Sequence, residues 1–174
     1  MSDSPDNFAD ISILPRSLGL VDEAAEARER RDLIVAKSGA RLIGIFADEA
    51  ASVLEWREPT PLPRAPEAVL GVVSVRGRML TVLDPRSLLG ERRAGEELRP
   101  SFLIALRGDE QLALAVDSTE RILEIFVDEI EAVQHGAELV RGIIQHGREI
   151  IAVLNIEEIF NAALYGAERR RQRS

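Results

Sequence analysis

At 174 residues the chain suits one compact domain or two very small ones, and a fold of this size buries roughly two-thirds of the surface that its unfolded chain would expose. Hydrophobic residues make up 45% and charged residues 30%, so most of the chain is expected to fold, around a core that the 4% of aromatics leaves aliphatic. The net charge of -8 repels phosphate backbones and argues against nucleic acid as a partner, while the absence of cysteine excludes disulfides and thiolate metal sites.

The first seventeen residues, MSDSPDNFADISILPRS, lack the basic start and apolar run of a signal peptide, and no stretch approaches the roughly 20 apolar residues of a membrane span. The reading is a soluble, cytoplasmic protein without direct membrane insertion. Residues 1–31 are expected to form a mobile arm, within which 21–31 (VDEAAEARERR) hold good helix formers without an apolar stripe and predict a short solvated helix. From Leu33 onward, short runs of Val, Ile and Leu separated by Gly or charged turns predict many short strands.

The chain also matches itself. Shifted by 69, residues 32–57 (DLIVAKSGARLIGIFADEAASVLEWR) lie without gaps over 101–126 (SFLIALRGDEQLALAVDSTERILEIF), Ala36 and Gly39 meeting Ala105 and Gly108. Shifted by 71, residues 71–84 (GVVSVRGRMLTVLD) lie over 142–155 (GIIQHGREIIAVLN). Each copy holds a hairpin signal, Arg76-Gly77 or His146-Gly147, placed one residue earlier in the second copy. Each ends in a short helix: Asp84 caps with Pro85 at the first helical position, and Asn155 with Glu158 three residues on resembles a capping box. The expected fold is therefore all-β, two tandem five-stranded barrels with short helices at the unit ends: a domain over 32–165 with subdomains at about 32–90 and 101–160, interrupted by GERRAGEELRP at 90–100 and followed by a basic tail at 166–174.

Chemistry is sparse. There is no P-loop, no G-x-S-x-G, no H-E-x-x-H and no dinucleotide fingerprint, and the only histidines, His135 and His146, do not suggest a metal site. No catalytic residue, metal or cofactor is assigned, and the chain is not expected to be an enzyme. Asp84 follows an apolar strand as catalytic acids often do, but a helix cap accounts for it and for Asn155 in the second copy. The run at 59–66 (PTPLPRAP) reads as a stiff connection rather than a polyproline ligand, Trp56 as buried packing, and RRRQR at 169–173 as a solvated terminus.

One segment is more specific. Residues 62–90, LPRAPEAVLGVVSVRGRMLTVLDPRSLLG, resemble the hallmark of CheW-like chemotaxis coupling proteins: a proline-containing loop, a G-V-hydrophobic-x-hydrophobic-R-G hairpin, a second strand, an aspartate and a leucine-rich helix. The preceding RLIGIFADEAASVLEW also resembles that family, and the likeness spans about 32–160. Thr81 and Pro85 depart from the family's usual residues. The resemblance implies two small SH3-like barrels and a non-catalytic scaffold, whose partners are the cytoplasmic tip of a chemoreceptor, in membrane-associated arrays, and the regulatory domain of a histidine kinase. An adaptor for a non-flagellar or alternative-output pathway is a variant of it. A regulatory barrel binding a small ligand, or an enzyme with an unfamiliar site, are the rivals.

The expected partner-binding residues are Arg76 and Gly77 at the hairpin tip, with Val75, Val73 and Leu83 beside them. An arginine at an exposed tip offers forked donors to a carboxylate or backbone carbonyl, and arginine is enriched among interface hot spots. Its counterpart in the second copy is read as His146.

Overall fold

The computed structural model describes residues 28–91, 97, 99–108, 111–134 and 138–171, the last eight of these as backbone. Ten strands are found among them: β1 (Arg30–Ser38), β2 (Arg41–Phe46), β3 (Ala50–Glu55), β4 (Val69–Val75), β5 (Arg78–Leu83), β6 (Phe102–Leu106), β7 (Leu112–Val116), β8 (Ser118–Phe126), β9 (Val140–His146) and β10 (Glu149–Leu154). The helices are α1 (Pro85–Leu88) and α2 (Ile156–Arg171), and 3-10 turns occupy Ala47–Glu49 and Val127–Glu129. The strand-rich reading holds. The helix expected at 21–31 does not survive where it can be seen, because Arg30 and Arg31 already belong to β1; its first seven residues lie outside the described ones.

The strands form two five-stranded sheets, ordered β8-β1-β2-β10-β9 and β3-β6-β7-β5-β4. Neither sheet is one half of the sequence. Each takes its first hairpin from one repeat and its remaining three strands from the other, so the contiguous subdomains expected at 32–90 and 101–160 are corrected to a reciprocal exchange. In each half the chain leaves its first hairpin through a very short connection, Ala47–Glu49 or the single residue Asp117, and enters the other sheet. Local periodicity says that a segment is a strand, but its pairing partner is a nonlocal choice.

The repeat is otherwise reproduced closely. β4 and β5 map onto β9 and β10 at the offset of 71, and the parallel ladders match: Thr81 opposes Leu112 as Ala152 opposes Ile43. The first strand departs by one residue. Leu33 pairs with Phe46 and Leu103 with Ala115, so β1 maps onto β6 at 70 while β2 maps onto β7 at 69. The gapless match of Ala36 with Ala105 is thus a slip of one, and Leu106 is the structural equivalent of Ala36.

Alternation along the strands divides the apolar residues into three cores. Leu33, Val35, Phe46, Ile125, Ile144, Ile151 and Val153 fill the first barrel. Val73, Leu80, Val82, Leu103 and three alanines, Ala105, Ala113 and Ala115, fill the second. Between the barrels lie Ile43, Ile45, Leu83, Ile104, Leu114, Leu154 and, from α2, Ile156 and Ile159.

Both helix starts are capped as expected. The Asp84 carboxylate accepts from the Arg86 amide at 3.1 Å with Pro85 in the first turn. Asn155 Oδ1 accepts from the Glu158 amide at 3.5 Å, while the Asn155 amide donates to the Leu139 carbonyl at 2.8 Å rather than to Glu158. The Asp84 amide donates to the Ala68 carbonyl in the same way, so the caps also tie down the residues just before β4 and β9.

Candidate functional site

The β4–β5 hairpin turns through Arg76 (φ +49°) and Gly77 (φ +77°), the pair of positive dihedrals that a type I′ turn requires. Glycine meets that demand freely, and a Cβ on Gly77 would touch nothing, so only its dihedral restricts it. An arginine in the left-handed region is uncommon. Both tip residues are exposed, Val75 is half-buried, and Val73 and Leu83 are 5% and 2% exposed. Val73 belongs to the second barrel's interior and Leu83 to the layer between the barrels, because alternation turns both inward; neither is available to a partner, which corrects their place in the expected site.

The equivalent turn in the second repeat is Gly147-Arg148, with Gly147 at φ +63°. Glycine has moved from the second to the first central position while the strands keep their register. The structural counterpart of Arg76 is therefore Gly147, not His146, which closes β9 opposite Glu149. His135 lies outside the described residues.

Beside the tip opens a cleft of about 420 Å³ at the mouth of the second barrel. Its rim carries Arg76, Arg78 and Arg107, and Ser52 lines its wall. Leu54, Leu80 and Leu106 supply an apolar floor. Arg107 donates to the Ala50 carbonyl at 3.5 Å, and Arg76 and Arg78 form no ion pair among the described residues. Sequence reasoning found Arg76 and missed Arg78, Arg107 and Ser52, which only the folding of β3, β5 and β6 into one mouth unites. The alternation of Arg76 and Arg78 around Gly77 was the one available signal.

The exposed large apolar residues follow the repeat. Val53, Leu62 and Met79 recur as Ile122, Val133 and Ile150 at offsets of 69, 71 and 71, with exposures from 42% to 68%. Three matched pairs are hard to ascribe to scattered surface hydrophobics. Trp56 packs against the second barrel's core and helps line a smaller cleft of about 260 Å³ with Pro59, Pro61 and Leu70. The proline run behaves as a connection: Thr60 exchanges both backbone hydrogen bonds with Val72, at 2.8 and 2.9 Å.

The first barrel is closed by charge pairs. Arg31 bonds Asp48 at 2.6 Å and stacks 3.5 Å over the Phe46 ring, and Arg141 bonds Glu49 at 3.1 Å. The Arg31 guanidinium holds the Asp48 carboxyl below the ordinary aspartate range. Glu49 is shifted upward, because burial outweighs the nearby Arg141 and Arg31 charges, and its Oε2 is buried without a hydrogen-bond partner. Arg28 likewise bonds Asp128 at 2.7 Å and lowers its titration. Among the described residues no group of three or more His, Cys, Asp or Glu is placed to hold a metal ion, and no helix is long and apolar enough to cross a membrane. The described surface thus presents a cationic cleft, an exposed hairpin tip and repeated exposed apolar residues.

Comparison with known proteins agrees with this geometry. Residues 32–164 match the family model for the CheW-like domain. Protein FrzA of Myxococcus xanthus is 29% identical over 155 residues, covering 84% of this chain and 96% of FrzA, and chemotaxis protein CheW of Rhizobium meliloti (strain 1021) is 25% identical over 135 residues, covering 75% and 87%. The crystal structure of the scaffolding protein TtCheW from Thermoanaerobacter tengcongensis superposes with a TM-score of 0.66 at 20% identity, over 74% of this chain and 86% of that one, a likeness of fold. With most of its length inside that family match, the chain belongs to the CheW-like family of chemotaxis coupling proteins.

Proposed function

We propose that the chain is a non-catalytic scaffold that joins the cytoplasmic tip of a chemoreceptor to the regulatory domain of a histidine kinase, working in the cytoplasm at membrane-associated receptor arrays. The β4–β5 hairpin is the contact proposed for one of these partners, with Arg76, Gly77 and Val75 at its centre. The observation that carries the reading is the tip itself: an exposed arginine, held at a positive φ that glycine or asparagine would adopt more readily, without an acidic partner among the described residues. The matched exposed residues on the two repeats support more than one docking surface.

The direct test is capture of a receptor-tip fragment and of a kinase regulatory domain by the purified full chain. Binding of both at once, with loss of one on Arg76→Glu, is the expected result. Failure to bind either would overturn the scaffold reading. A second reading, service in an alternative-output pathway, is compatible with the 29% identity to FrzA. Deleting the gene and scoring swimming chemotaxis against surface motility separates the two outputs.

A further inference from the structure

The internal repeat provides a comparison for the arginine cleft. At the corresponding mouth of the first barrel, Arg121 of β8 and Glu149 of β10 form an ion pair that ties the two strands across the opening. The positions equivalent to these, at offsets of 69 and 71, are Ser52 of β3 and Arg78 of β5. One barrel therefore closes its mouth with an acid and a base from its own chain. The other has Ser52 and Arg78 at those positions, both lining the cleft, and adds a second arginine, Arg76, where its counterpart has Gly147. Arg107 completes a three-sided cationic rim, on a chain whose net charge is -8.

We propose that this cleft receives an acidic side chain, glutamate or aspartate, from a segment of a partner protein, which supplies in trans the carboxylate that Glu149 supplies in cis to the first barrel. The inference rests on the scaffold reading and gives one of its contacts a chemistry. A guanidinium forks onto a carboxylate with two parallel hydrogen bonds, which a lysine could not reproduce. The floor of Leu54, Leu80 and Leu106 excludes water from one side of the pair and strengthens it. The cleft volume of about 420 Å³ lies in the range that takes a few side chains, not a folded element.

The test uses the full chain and two synthetic peptides, Ac-LEELEE-NH2 and its glutamine counterpart Ac-LQQLQQ-NH2, followed by calorimetry and by NMR of the arginine Nε–H signals. The acidic peptide should bind at least tenfold more tightly and shift Arg76, Arg78 and Arg107. Ser52→Glu, which places an acid in cis, should weaken that binding at least tenfold while leaving the unfolding midpoint unchanged. Equal binding of the two peptides, or shifts confined to the arginines of 169–173, would overturn the cleft. So would binding that appears only in D109N/E110Q, since those two acids follow Arg107 in sequence and lie outside the described residues. If Ser52→Glu leaves capture of receptor and kinase fragments and peptide binding at wild-type levels, the cleft fails and the scaffold reading stands. If the acidic peptide seats in the cleft but neither fragment is captured, the scaffold reading fails and the cleft stands.

Discussion

Arg76 sits where the backbone favours another residue. Asn-Gly is the preferred pair for a type I′ turn, and a left-handed dihedral costs most L-residues about 1 kcal/mol. Arg76→Asn should therefore raise the unfolding free energy by about 0.5–1 kcal/mol while lowering partner affinity, as read by denaturant melts and binding in parallel. Arg76→Glu keeps the strained dihedral and should change stability by no more than about 0.5 kcal/mol, yet cost ~2 kcal/mol or more in binding, about thirtyfold. Gly77→Val places a β-branched side chain at φ +77° and should weaken folding by about 1–3 kcal/mol, and binding with it. Stability losses from Arg76→Asn, with affinity intact, would make the arginine a structural residue. The adjacent acids Asp48 and Glu49 titrate in opposite directions for a stated reason, an ion pair in one case and burial in the other. The Asp48 contribution to stability is present at neutral pH and is lost as pH falls through its lowered value. Glu49 works in reverse: its folded form holds the proton more tightly than the unfolded chain, so its ionisation weakens the fold as pH rises through the raised value. The unfolding midpoint of Glu49→Gln relative to wild type should accordingly rise with pH across that window; a gap that falls would mean that the Arg141 pair dominates.

At the scale of elements, the connection from β3 to β4 depends on a glycine. Gly71 lies at φ +142°, and a Cβ there would stand 2.3 Å from the Thr60 carbonyl oxygen, which is backbone and cannot rotate away. Gly142 makes the same approach to Glu131, at 2.5 Å, in the second repeat. Gly71→Ala should cost about 3 kcal/mol, from overpacking and strained dihedrals together, and should release the Thr60–Val72 pairing to hydrogen exchange. Retention of wild-type exchange protection at Val72 would show that the loop accommodates the methyl group elsewhere. The first hairpin, the caps and this proline connection were legible in the sequence, because each is governed by residues within a few positions of one another, whereas the second tip lies at Gly147-Arg148 and not at His146-Gly147. The slip of β1 against β6 was not, since it is visible only in which residue of the partner strand each one faces.

For the whole molecule, reciprocal exchange makes the two halves interdependent. Residues 28–91 contain β1 to β5 but neither complete sheet, and the second half is equally incomplete. Each half alone should lack cooperative unfolding, and mixing the two should restore the near-ultraviolet signal of Trp56 on its packed face. Independent folding of either half would refute the exchange. Removing residues 1–27 should leave the fold intact, whereas cutting one residue later removes Arg28, which bonds Asp128 and stacks over the Phe126 ring at 3.8 Å.

Composition, strand alternation, the duplicated pattern and the V-R-G hairpin were determined by the sequence itself. All of these are local or periodic properties, carried by dihedral preferences and by which face of a strand is apolar. Only the tertiary structure decided which strands share a sheet, that Val73 and Leu83 face cores, and that Ser52, Arg76, Arg78 and Arg107 meet at one mouth. The same alternating segment can pair with either neighbour, and packing of three aliphatic cores across distant parts of the chain selects between them.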